Sequence, residues 1–181
     1  MTEAQSKPAR PPRTAMVITA SDGAAAGVRV DTSGARVAAR LEALGYKVER
    51  LVIADDQPTI EQALTDGTAT HPLVVTTGGT GLTPRDVTPQ ATQAVIDYEV
   101  PGLAEAMRAV GRVSTPFADL SRGVVGVRGR SLIVNLPGSP KGALESIDAI
   151  AGVLEHALDT LAGPYDHPSA PSTTDDGGTN P

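Results

Sequence analysis

The sequence predicts an α/β fold with a mainly parallel sheet, and three features of the chain indicate it. Four short runs rich in β-branched residues, AMVITA, KVERLVI, PLVVTT and SLIVNL, have the composition of strands. Segments with helical spacing lie between these runs, which is the pattern of βαβ units. The length of 181 residues suits a single domain, and no segment recurs at a fixed period.

The first crossover helix is predicted over residues 32–44. Val37, Leu41 and Leu44 recur there at the spacing that puts apolar side chains on one helical face. Gly45 follows directly and suits the left-handed turn that commonly ends a helix. This segment should therefore connect the first two strands of the sheet and pack against one of its faces.

The sequence of the C-terminal part of the domain predicts a long helix that ends at Gly163. The secondary structure of one stretch before this helix is ambiguous. Between residues 117 and 127 the pattern fits either a short hairpin or an extended loop, and we expect Ser121 to lie on a loop. The long helix should pack one stripe on the sheet, because its apolar residues are spaced by three and four. These residues are Leu144, Ile147, Ile150, Leu154, Leu158 and Leu161.

The two ends of the chain differ in composition from its middle. The first 13 residues are rich in Pro, Lys and Arg, and the last 19 are rich in polar and helix-breaking residues. We therefore expect disordered tails at residues 1–13 and 163–181 around one domain at residues 14–162. The N-terminal stretch lacks the apolar core of a signal peptide, so a cytoplasmic location is the expectation.

The composition also limits the partners and the chemistry. A formal net charge of -6 argues against a nucleic-acid partner, and no apolar run approaches the roughly 20 residues that a membrane span needs. The chain has no cysteine, which excludes disulfides, thiolate metal sites and thiol nucleophiles. Its chemistry must therefore come from carboxylates, hydroxyls, backbone amides or bound ions.

The stretch TTGGTGLTPRDVT, residues 76–88, is nearly bare of side-chain surface and directly follows HPLVV. It leaves the carboxyl end of a predicted strand and reaches Pro89, a favoured first residue of a helix. Ligands of open α/β sheets bind at that edge, where glycines let backbone N–H groups approach a phosphate. A tight turn without a ligand explains the glycines equally well, so the Gly and Thr content alone leaves both interpretations open.

Acidic residues in two loops favour a ligand. Thr88 stands beside Pro89 in the position of a helix cap, which would leave Asp86 free for Mg²⁺. Asp55 and Asp56 follow the second strand run and should reach the same edge of the sheet. Mg²⁺ favours one or two carboxylates together with phosphate oxygens, so these loops suit a metal-nucleotide site. For Asp56 alone we prefer a solvated turn.

A second glycine-bearing turn, NLPGSPKGALES, follows the last strand run. The free N–H groups at the start of its helix would attract an anion, and an ordinary connection with Ser139 as cap and Pro140 as first helical residue is compatible with that role. Ser21, Asp22 and Asp31 follow the first strand run but give only a weak signal. The three histidines show no metal-ligand spacing.

The motifs TTGGTGLTPRDVTPQAT, PGLAEAMR, LSRG and NLPGSPKG occur in this order. With them, the chain from about Thr14 to Ala162 closely resembles the molybdopterin adenylyltransferase family of molybdenum cofactor biosynthesis. The resemblance implies a three-layer α/β/α domain that assembles as a homotrimer and uses Mg²⁺ and ATP to adenylylate molybdopterin, with release of pyrophosphate. It also implies that a later enzyme receives the product and inserts molybdate.

The resemblance further implies roles for individual residues. Asp55 and Asp86 match the acidic residues of the family and would serve catalysis and hold Mg²⁺ with ATP. Relatives often carry Arg where this chain has Gly23, so a basic contact is missing there. The residues that would bind molybdopterin or nucleotide phosphate are Thr76, Thr77, Gly78, Gly79, Thr80, Gly81, Ser121, Asn135, Pro137, Gly138, Ser139 and Pro140.

Two other functions compete with adenylyl transfer. One is a catalytically inactive molybdopterin-binding or assembly protein of the same fold, against which the retention of Asp55 and Asp86 argues. The other is a nucleotide-binding module without pterin specificity, which only the family motifs disfavour. An assay for adenylylated molybdopterin separates all three functions.

Overall fold

A computed structural model describes residues 13–163 and contains one six-stranded sheet. The strands are β1 Thr14–Ala20, β2 Lys47–Ile53, β3 Leu73–Thr77, β4 Tyr98–Glu99, β5 Val125–Arg128 and β6 Ser131–Leu136. Their order across the sheet is β2-β1-β3-β6-β5-β4. The pairs β2-β1, β1-β3 and β3-β6 are parallel, whereas β5 and β4 continue the sheet in antiparallel pairs. The predicted mainly parallel sheet is confirmed.

Helices cover both faces of this sheet, so the α/β/α arrangement is confirmed as well. The helices are α1 Asp22–Ala25, α2 Thr32–Ala43, α3 Gln57–Thr70, α4 Thr88–Val95, α5 Pro101–Ser114 and α6 Pro140–Ala162, with a 3₁₀ helix at Pro116–Leu120. One apolar cluster joins α2, α5 and α6 to the sheet, and another joins α3 and α4 to the opposite face. Alternate residues of β1 enter each cluster, Ala15 and Val17 the first and Met16 and Ile18 the second.

The two helices predicted from apolar spacing are present. The last residue of α2 is Ala43, and Gly45 follows with φ 91°, as its place after the helix predicts. In α6 the predicted stripe is buried in the first cluster at Ile147, Ile150, Leu154 and Leu158, while Leu161 packs against the cluster partly buried and Leu144 lies outside it. Gly163 follows the helix with φ 77°. Neither α6 nor any other helix within residues 13–163 is both long and apolar enough to cross a membrane.

The stretch that the sequence left open divides into a 3₁₀ helix, a loop and a strand. Ser121 lies on the loop, as predicted. From Val125 onward the chain forms the hairpin β5-β6, whose turn contains Gly129 with φ 56°. The hairpin interpretation is therefore right for the second half of the stretch, and the loop interpretation is right for Ser121.

The carboxyl ends of the four parallel-paired strands meet at one edge of the sheet. Backbone hydrogen bonds continue past the strands, from Ser21 to the Ile53 carbonyl at 2.9 Å and from Gly78 to the Leu136 carbonyl at 3.3 Å. The loops that follow β1, β2, β3 and β6 are consequently neighbours. All the motifs selected from the sequence as ligand sites leave the sheet at this edge.

Arg13, which the sequence assigns to the N-terminal tail, is bound to the domain. Its carbonyl accepts a hydrogen bond from the Lys47 N–H at 2.8 Å, and its guanidinium donates to the Glu155 carbonyl at 3.2 Å and contacts the Asp159 carboxylate. The expected tails at residues 1–12 and 164–181 lie outside the described residues. We therefore propose that the domain begins at Arg13.

A chain of residues 13–163 behind an initiator methionine should keep the thermal midpoint of the full chain, because neither removed end has the apolar surface to offset the entropy of ordering itself. Arg13→Ala in that chain should lower the free energy of unfolding by about 1 kcal/mol, or the midpoint by about 3 °C. Thermal unfolding followed by circular dichroism measures both. The control is Arg36→Ala, an exposed position of α2; an equal loss there, or none at Arg13, would contradict the proposed boundary.

Candidate functional site at the carboxyl ends of the parallel strands

Two cavities open at this edge of the sheet, and the Gly-rich loop forms part of the wall between them. The first cavity has a volume of about 370 Å³ and the second of about 500 Å³. Gly79, Asp86 and Gly138 border both cavities. Ligands in the two cavities would therefore contact the same two segments, the loop after β3 and the turn after β6.

The backbone geometry of the loop itself requires glycine at two positions. The sequence alone could not distinguish this requirement from ligand binding. Gly78 and Gly79 have φ values of 96° and 63°, the left-handed region that favours glycine. A Cβ atom on Gly78 would collide with the Ala20 carbonyl, and one on Gly79 with the Thr88 hydroxyl. The turn must be bare to fit between the end of β1 and the start of α4, and the same bareness leaves its backbone open to the cavities.

The expectation that Thr88 caps α4 and leaves Asp86 free is wrong. The cap position is Val87, without a side-chain hydrogen bond, and Thr88 is the first residue of the helix. The Thr88 hydroxyl instead donates to the Gly78 carbonyl at 3.0 Å, because the Gly-rich turn lies directly beside it. The Asp86 carboxylate closes its own turn, where its Oδ2 accepts from the Thr83 N–H at 2.8 Å and from the Thr83 hydroxyl at 2.7 Å.

Arg122, in the loop between the 3₁₀ helix and β5, holds this acidic loop in place. Its Nε donates to the Gly81 carbonyl at 2.7 Å, its Nη2 to the Asp86 carbonyl at 2.5 Å and its backbone N–H to the Thr80 carbonyl at 3.0 Å. Partial burial pushes the pKa of Asp86 up, but hydrogen bonds from Thr83 and Gly81 and the charge of Arg122 outweigh it, so the pKa lies below its usual value. Asp86 is thus a fixed carboxylate that is charged at neutral pH.

Asp22 and Asp55 form a reciprocal pair that joins the ends of β1 and β2. The Asp22 N–H donates to Asp55 Oδ2 at 2.9 Å, and the Asp55 N–H donates to Asp22 Oδ1 at 3.0 Å. Arg85 reaches the pair from the loop before α4, with Nε and Nη2 at 3.1 and 2.6 Å from Asp22 Oδ2. Asp22, a weak signal in the sequence, is therefore an integral part of the site.

The two carboxyl groups of this pair differ in their electrostatics. Burial raises the pKa of Asp55, and repulsion from Asp22 and Asp86 adds to the rise, against the Asp22 N–H and the charge of Arg85. The hydrogen bond from Arg85 lowers the pKa of Asp22, and the Asp55 N–H lowers it further. Ionised Asp55 thus lies among like charges, an arrangement that a bound cation would relieve.

Asp56 has a different role from its neighbour Asp55. It is the N-cap of α3, where its Oδ2 accepts from the Thr59 N–H at 3.1 Å and from the Thr59 hydroxyl at 2.6 Å. These bonds lower the pKa of Asp56. The exposed turn expected from the sequence is in fact a helix cap, and Asp56 borders neither cavity.

Some residues expected to bind phosphate are committed to the protein itself. Asn135 is buried, and its Nδ2 donates to the hydroxyls of Thr76 at 3.0 Å and Thr92 at 2.9 Å, while its Oδ1 accepts from the Val124 N–H at 3.2 Å. Thr76 borders neither cavity. The Thr77 hydroxyl donates to the Pro137 carbonyl at 3.0 Å. These side chains hold the Gly-rich loop against β6, and so they support the site from beneath.

The turn after β6 has the local structure that its sequence predicts. Ser139 caps α6 through a 3.2 Å bond from the Gly142 N–H, and Pro140 is the first helical residue. A Cβ atom on Gly138 would lie 3.2 Å from the Gly78 Cα, so the two glycine turns touch. Ser139 and Pro137 border the first cavity, and Pro140 borders the second.

The first cavity combines apolar and hydroxyl-bearing walls. Ala104 and Met107 of α5 and the exposed side chains of Phe117 and Leu120 supply the apolar part. Ser121 faces it from the loop that the sequence predicted, and the Ser121 Oγ accepts from the Gly123 N–H at 3.3 Å. Such a mixture suits a small molecule with a flat ring system and polar edges.

The second cavity is lined by oxygen and guanidinium groups and suits Mg²⁺ bound together with phosphates. Asp55 and Asp86 both border it and offer the hard oxygen donors that Mg²⁺ prefers. Among residues 13–163 no three acidic or histidine side chains converge closely enough to hold a metal alone. The donor set therefore fits an ion that takes its remaining ligands from phosphate and water.

The structure adds residues that sequence reasoning missed. Arg85 and Arg122 stand inside the quoted motifs LTPRDVT and LSRG, and that position was the available signal for both. Arg29 borders the second cavity and lies over Gly23, since its Nε is 3.9 Å from the place of a Cβ atom on that glycine. A guanidinium from six residues further along the chain thus lies near the position where relatives often carry Arg.

An α/β/α domain with two adjoining cavities at the carboxyl edge of its sheet has the architecture of a small-molecule-binding protein. The chain belongs to the family described as "probable molybdopterin binding domain", whose model matches residues 16–156. The motifs that suggested this resemblance all lie within the matched range.

Named relatives and solved structures agree with this membership. The molybdopterin adenylyltransferase of Haemophilus influenzae is 45% identical over 140 residues, covering 74% of this chain and 71% of its own. That of Helicobacter pylori strain J99 is 38% identical over 156 residues, covering 82% and 88%. The molybdopterin biosynthesis Mog protein from Mycobacterium ulcerans is similar in structure, with a TM-score of 0.78 and 47% identity over 82% of this chain and 99% of its own.

We predict that Asp55 titrates at a higher pH than Asp22 and Asp86 in the ligand-free protein, because burial and neighbouring carboxylates raise its pKa while theirs are lowered. The ionised Asp22 therefore stabilises the fold above its unfolded pKa, and this stabilisation is lost as the pH falls through its lower folded pKa. Asp55 has the opposite effect, because its stabilisation of the fold is lost as the pH rises from its unfolded pKa to its higher folded pKa. Carboxyl-selective NMR titration measures the order. Arg85→Gln should raise the pKa of Asp22; a carboxyl of Asp55 that titrates first on raising the pH would contradict the prediction.

Proposed function

We propose that this protein is a molybdopterin adenylyltransferase, which transfers adenylate from ATP to the terminal phosphate of molybdopterin and releases pyrophosphate. The observation that carries the proposal is the wall shared by two cavities of different chemistry. Substrates on its two sides would bring their phosphates together at Gly79, Asp86 and Gly138. The activity named for the relatives from Haemophilus influenzae and Helicobacter pylori supports the same reaction.

Molybdopterin occupies the first cavity in this proposal. The apolar side chains of α5 and the 3₁₀ helix pack against its ring system, and Ser121 and Ser139 offer hydroxyls at the polar edge. Its terminal phosphate lies against the backbone of residues 79–81, where Gly79 and Gly81 carry no side chain and allow close approach of N–H groups. The volume of about 370 Å³ lies in the range of small-molecule sites.

ATP occupies the second cavity, with Asp55 and Asp86 as the residues that hold Mg²⁺. When bound, Mg²⁺ neutralises phosphate charge and so favours transfer of the adenylate group. Asp22 keeps Asp55 in position through the reciprocal hydrogen bonds between their backbone and side chains. Arg122 keeps Asp86 in position through the carbonyls at both ends of its loop.

The attacking group in this reaction is a phosphate oxygen that is already ionised at neutral pH, so no side chain has to remove a proton from it. The protein contributes position and charge, which are the principal terms in phosphoryl transfer. A site of fixed carboxylates and open backbone N–H groups matches that demand. The absence of a nearby histidine from the cavity walls is no obstacle to such a mechanism.

The protein acts as a homotrimer in the cytoplasm in this proposal and passes its product to a molybdate-inserting enzyme, without nucleic acid or membrane as partner. The exposed apolar side chains Val110, Val113, Phe117 and Leu120 on α5 and the 3₁₀ helix support self-association. Phe117 and Leu120 also line the first cavity, which would place the interface next to the bound pterin.

Size exclusion coupled to light scattering should give three times the mass of the 18.5 kDa chain at micromolar concentration. Val113→Glu should shift the protein towards monomer, because a carboxylate at an apolar interface loses hydration without a partner. The matched control is Val28→Glu, at a comparably exposed valine far from α5 in the chain. A monomer in the unaltered protein would exclude the proposed trimer.

Incubation with molybdopterin, ATP and Mg²⁺ should yield adenylylated molybdopterin and pyrophosphate, detected by mass spectrometry. Asp55→Asn and Asp86→Asn should each reduce turnover on the order of a hundredfold or more, because a charge used mainly in the transition state is lost. Both variants should fold normally, since an amide oxygen can accept the same hydrogen bonds from Asp22 and Thr83. Molybdopterin binding should persist better than catalysis.

Asp56→Asn is the control for these variants and should be nearly silent, because Asn is as good a helix cap as Asp. Loss of activity in Asp56→Asn with full activity in Asp55→Asn would reverse the assignment of the two neighbours. If pterin binds but no adenylylated product forms in the unaltered protein, the chain is a molybdopterin-binding or assembly protein. Binding of nucleotide without pterin would leave a nucleotide-binding module.

A further inference from the structure

The second cavity brings carboxylates and guanidinium groups together in unequal number. Asp31, Asp55 and Asp86 border it, and the cations on its wall are Arg29 and Arg85. Asp31 is already satisfied, since it forms a 2.6 Å ion pair with Arg50 and caps α2 through the Gly34 N–H at 2.8 Å. A nucleotide polyphosphate entering this cavity would meet repulsion unless cationic side chains faced it.

Arg85 can readily exchange its ion pair with Asp22 for one with a phosphate. Both of its bonds, from Nε and Nη2, end on a single oxygen, Asp22 Oδ2. The Arg85 side chain is 64% exposed, and such exposed ion pairs contribute little stability. A phosphate offers more than one acceptor oxygen to the planar guanidinium and is the stronger partner.

Arg29 can bind a phosphate without giving up an existing ion pair. In the part of the chain that the structure describes, its guanidinium makes no ion pair or hydrogen bond. Its backbone is fixed, because the N–H groups of Val28 and Arg29 both donate to the Gly23 carbonyl, at 3.0 and 2.9 Å. Gly23 leaves the space over which the Arg29 side chain lies, with its Cβ 3.5 Å from the place of a Cβ atom on Gly23.

A further polar group of the cavity wall lacks a partner. The Thr19 hydroxyl is the one buried side-chain nitrogen or oxygen without a hydrogen-bond partner among the described residues, and Thr19 is 4% exposed. Thr19 stands at the end of β1 and borders the second cavity. The hydroxyl lies beside Gly34 and the Asp31 carboxylate, so it is an enclosed polar group of this wall and not a contact for the ligand.

We propose that Arg29 and Arg85 bind the β- and γ-phosphates of ATP and retain them as pyrophosphate when it leaves, with Arg85 moving from Asp22 to the phosphates. This inference rests on the proposed adenylyl transfer. In that reaction an oxygen of the molybdopterin phosphate forms a bond to the α-phosphorus, and the bond from that phosphorus to the oxygen bridging to the β-phosphorus breaks. Pyrophosphate keeps the electron pair, and the two guanidinium groups remain protonated and stabilise its charge.

The inference is tested by calorimetric titration of the full chain with pyrophosphate and with AMP, both in the presence of Mg²⁺. Arg29→Gln and Arg85→Gln should each weaken pyrophosphate binding by about tenfold or more, the effect of one charge-assisted contact, and leave AMP binding unchanged. Arg29→Lys and Arg85→Lys should retain part of the affinity because the charge remains. Arg36→Gln, at an exposed position of α2, is the matched control and should bind as the unaltered chain does.

The experiment separates failure of this inference from failure of the proposed function. If the unaltered chain forms adenylylated molybdopterin and both Gln variants bind pyrophosphate as tightly as it does, the inference is wrong while the function stands. If the Gln variants lose AMP and pyrophosphate equally, the arginines act on the whole site and the inference is also wrong. A thermal midpoint within about 2 °C of the unaltered chain confirms that the exposed substitutions leave the fold intact.

Discussion

The close approach of the Gly-rich turn to the ends of β1 and β6 is the constraint on which the site depends. Gly78 lies against the Ala20 carbonyl on one side and 3.2 Å from the place of a Cβ atom on Gly138 on the other. Three strand ends can meet at such distances only where side chains are absent. This contact sets the loops after β1, β3 and β6 side by side and creates the wall between the two cavities. A methyl group at Gly78 would separate the strand ends and open that wall.

Electrostatics gives the two sides of the wall different uses. On the second side Asp55 and Asp86 border the cavity, and Asp22, which is bonded to Arg85, holds Asp55 in place. The pKa of Asp55 is raised, whereas those of Asp22 and Asp86 are lowered. Like charges held this closely by backbone hydrogen bonds favour a bound cation over the empty arrangement. On the first side apolar groups dominate, and Ser121 is the polar element of the opposite loop. The reaction proposed here requires both environments within reach of one another.

A buried polar network beneath the loop explains how so little side-chain surface can be rigid. Asn135 uses its amide nitrogen and oxygen on Thr76, Thr92 and the Val124 backbone, and it thereby links β3, α4 and β6 to the loop before β5. Arg122 performs the corresponding role from the loop of Ser121 by bonding carbonyls at both ends of the acidic turn. Because both networks are satisfied within the protein, they can fix geometry without depending on a ligand.

The sequence by itself determined the parallel strands, the helical stripes, the cap at Ser139 and the presence of glycine and acid at one edge of the sheet, because these follow from local periodicity and from topology. It did not determine which way side chains turn at that edge. Thr88 bonds Gly78 instead of capping, Asp22 pairs with Asp55 across 33 residues, and Arg122 reaches carbonyls up to 41 residues away. Such contacts have no period and no fixed spacing, since loops distant in the chain become neighbours only once the sheet has formed. The tertiary structure alone therefore decided which carboxylates and arginines share the second cavity.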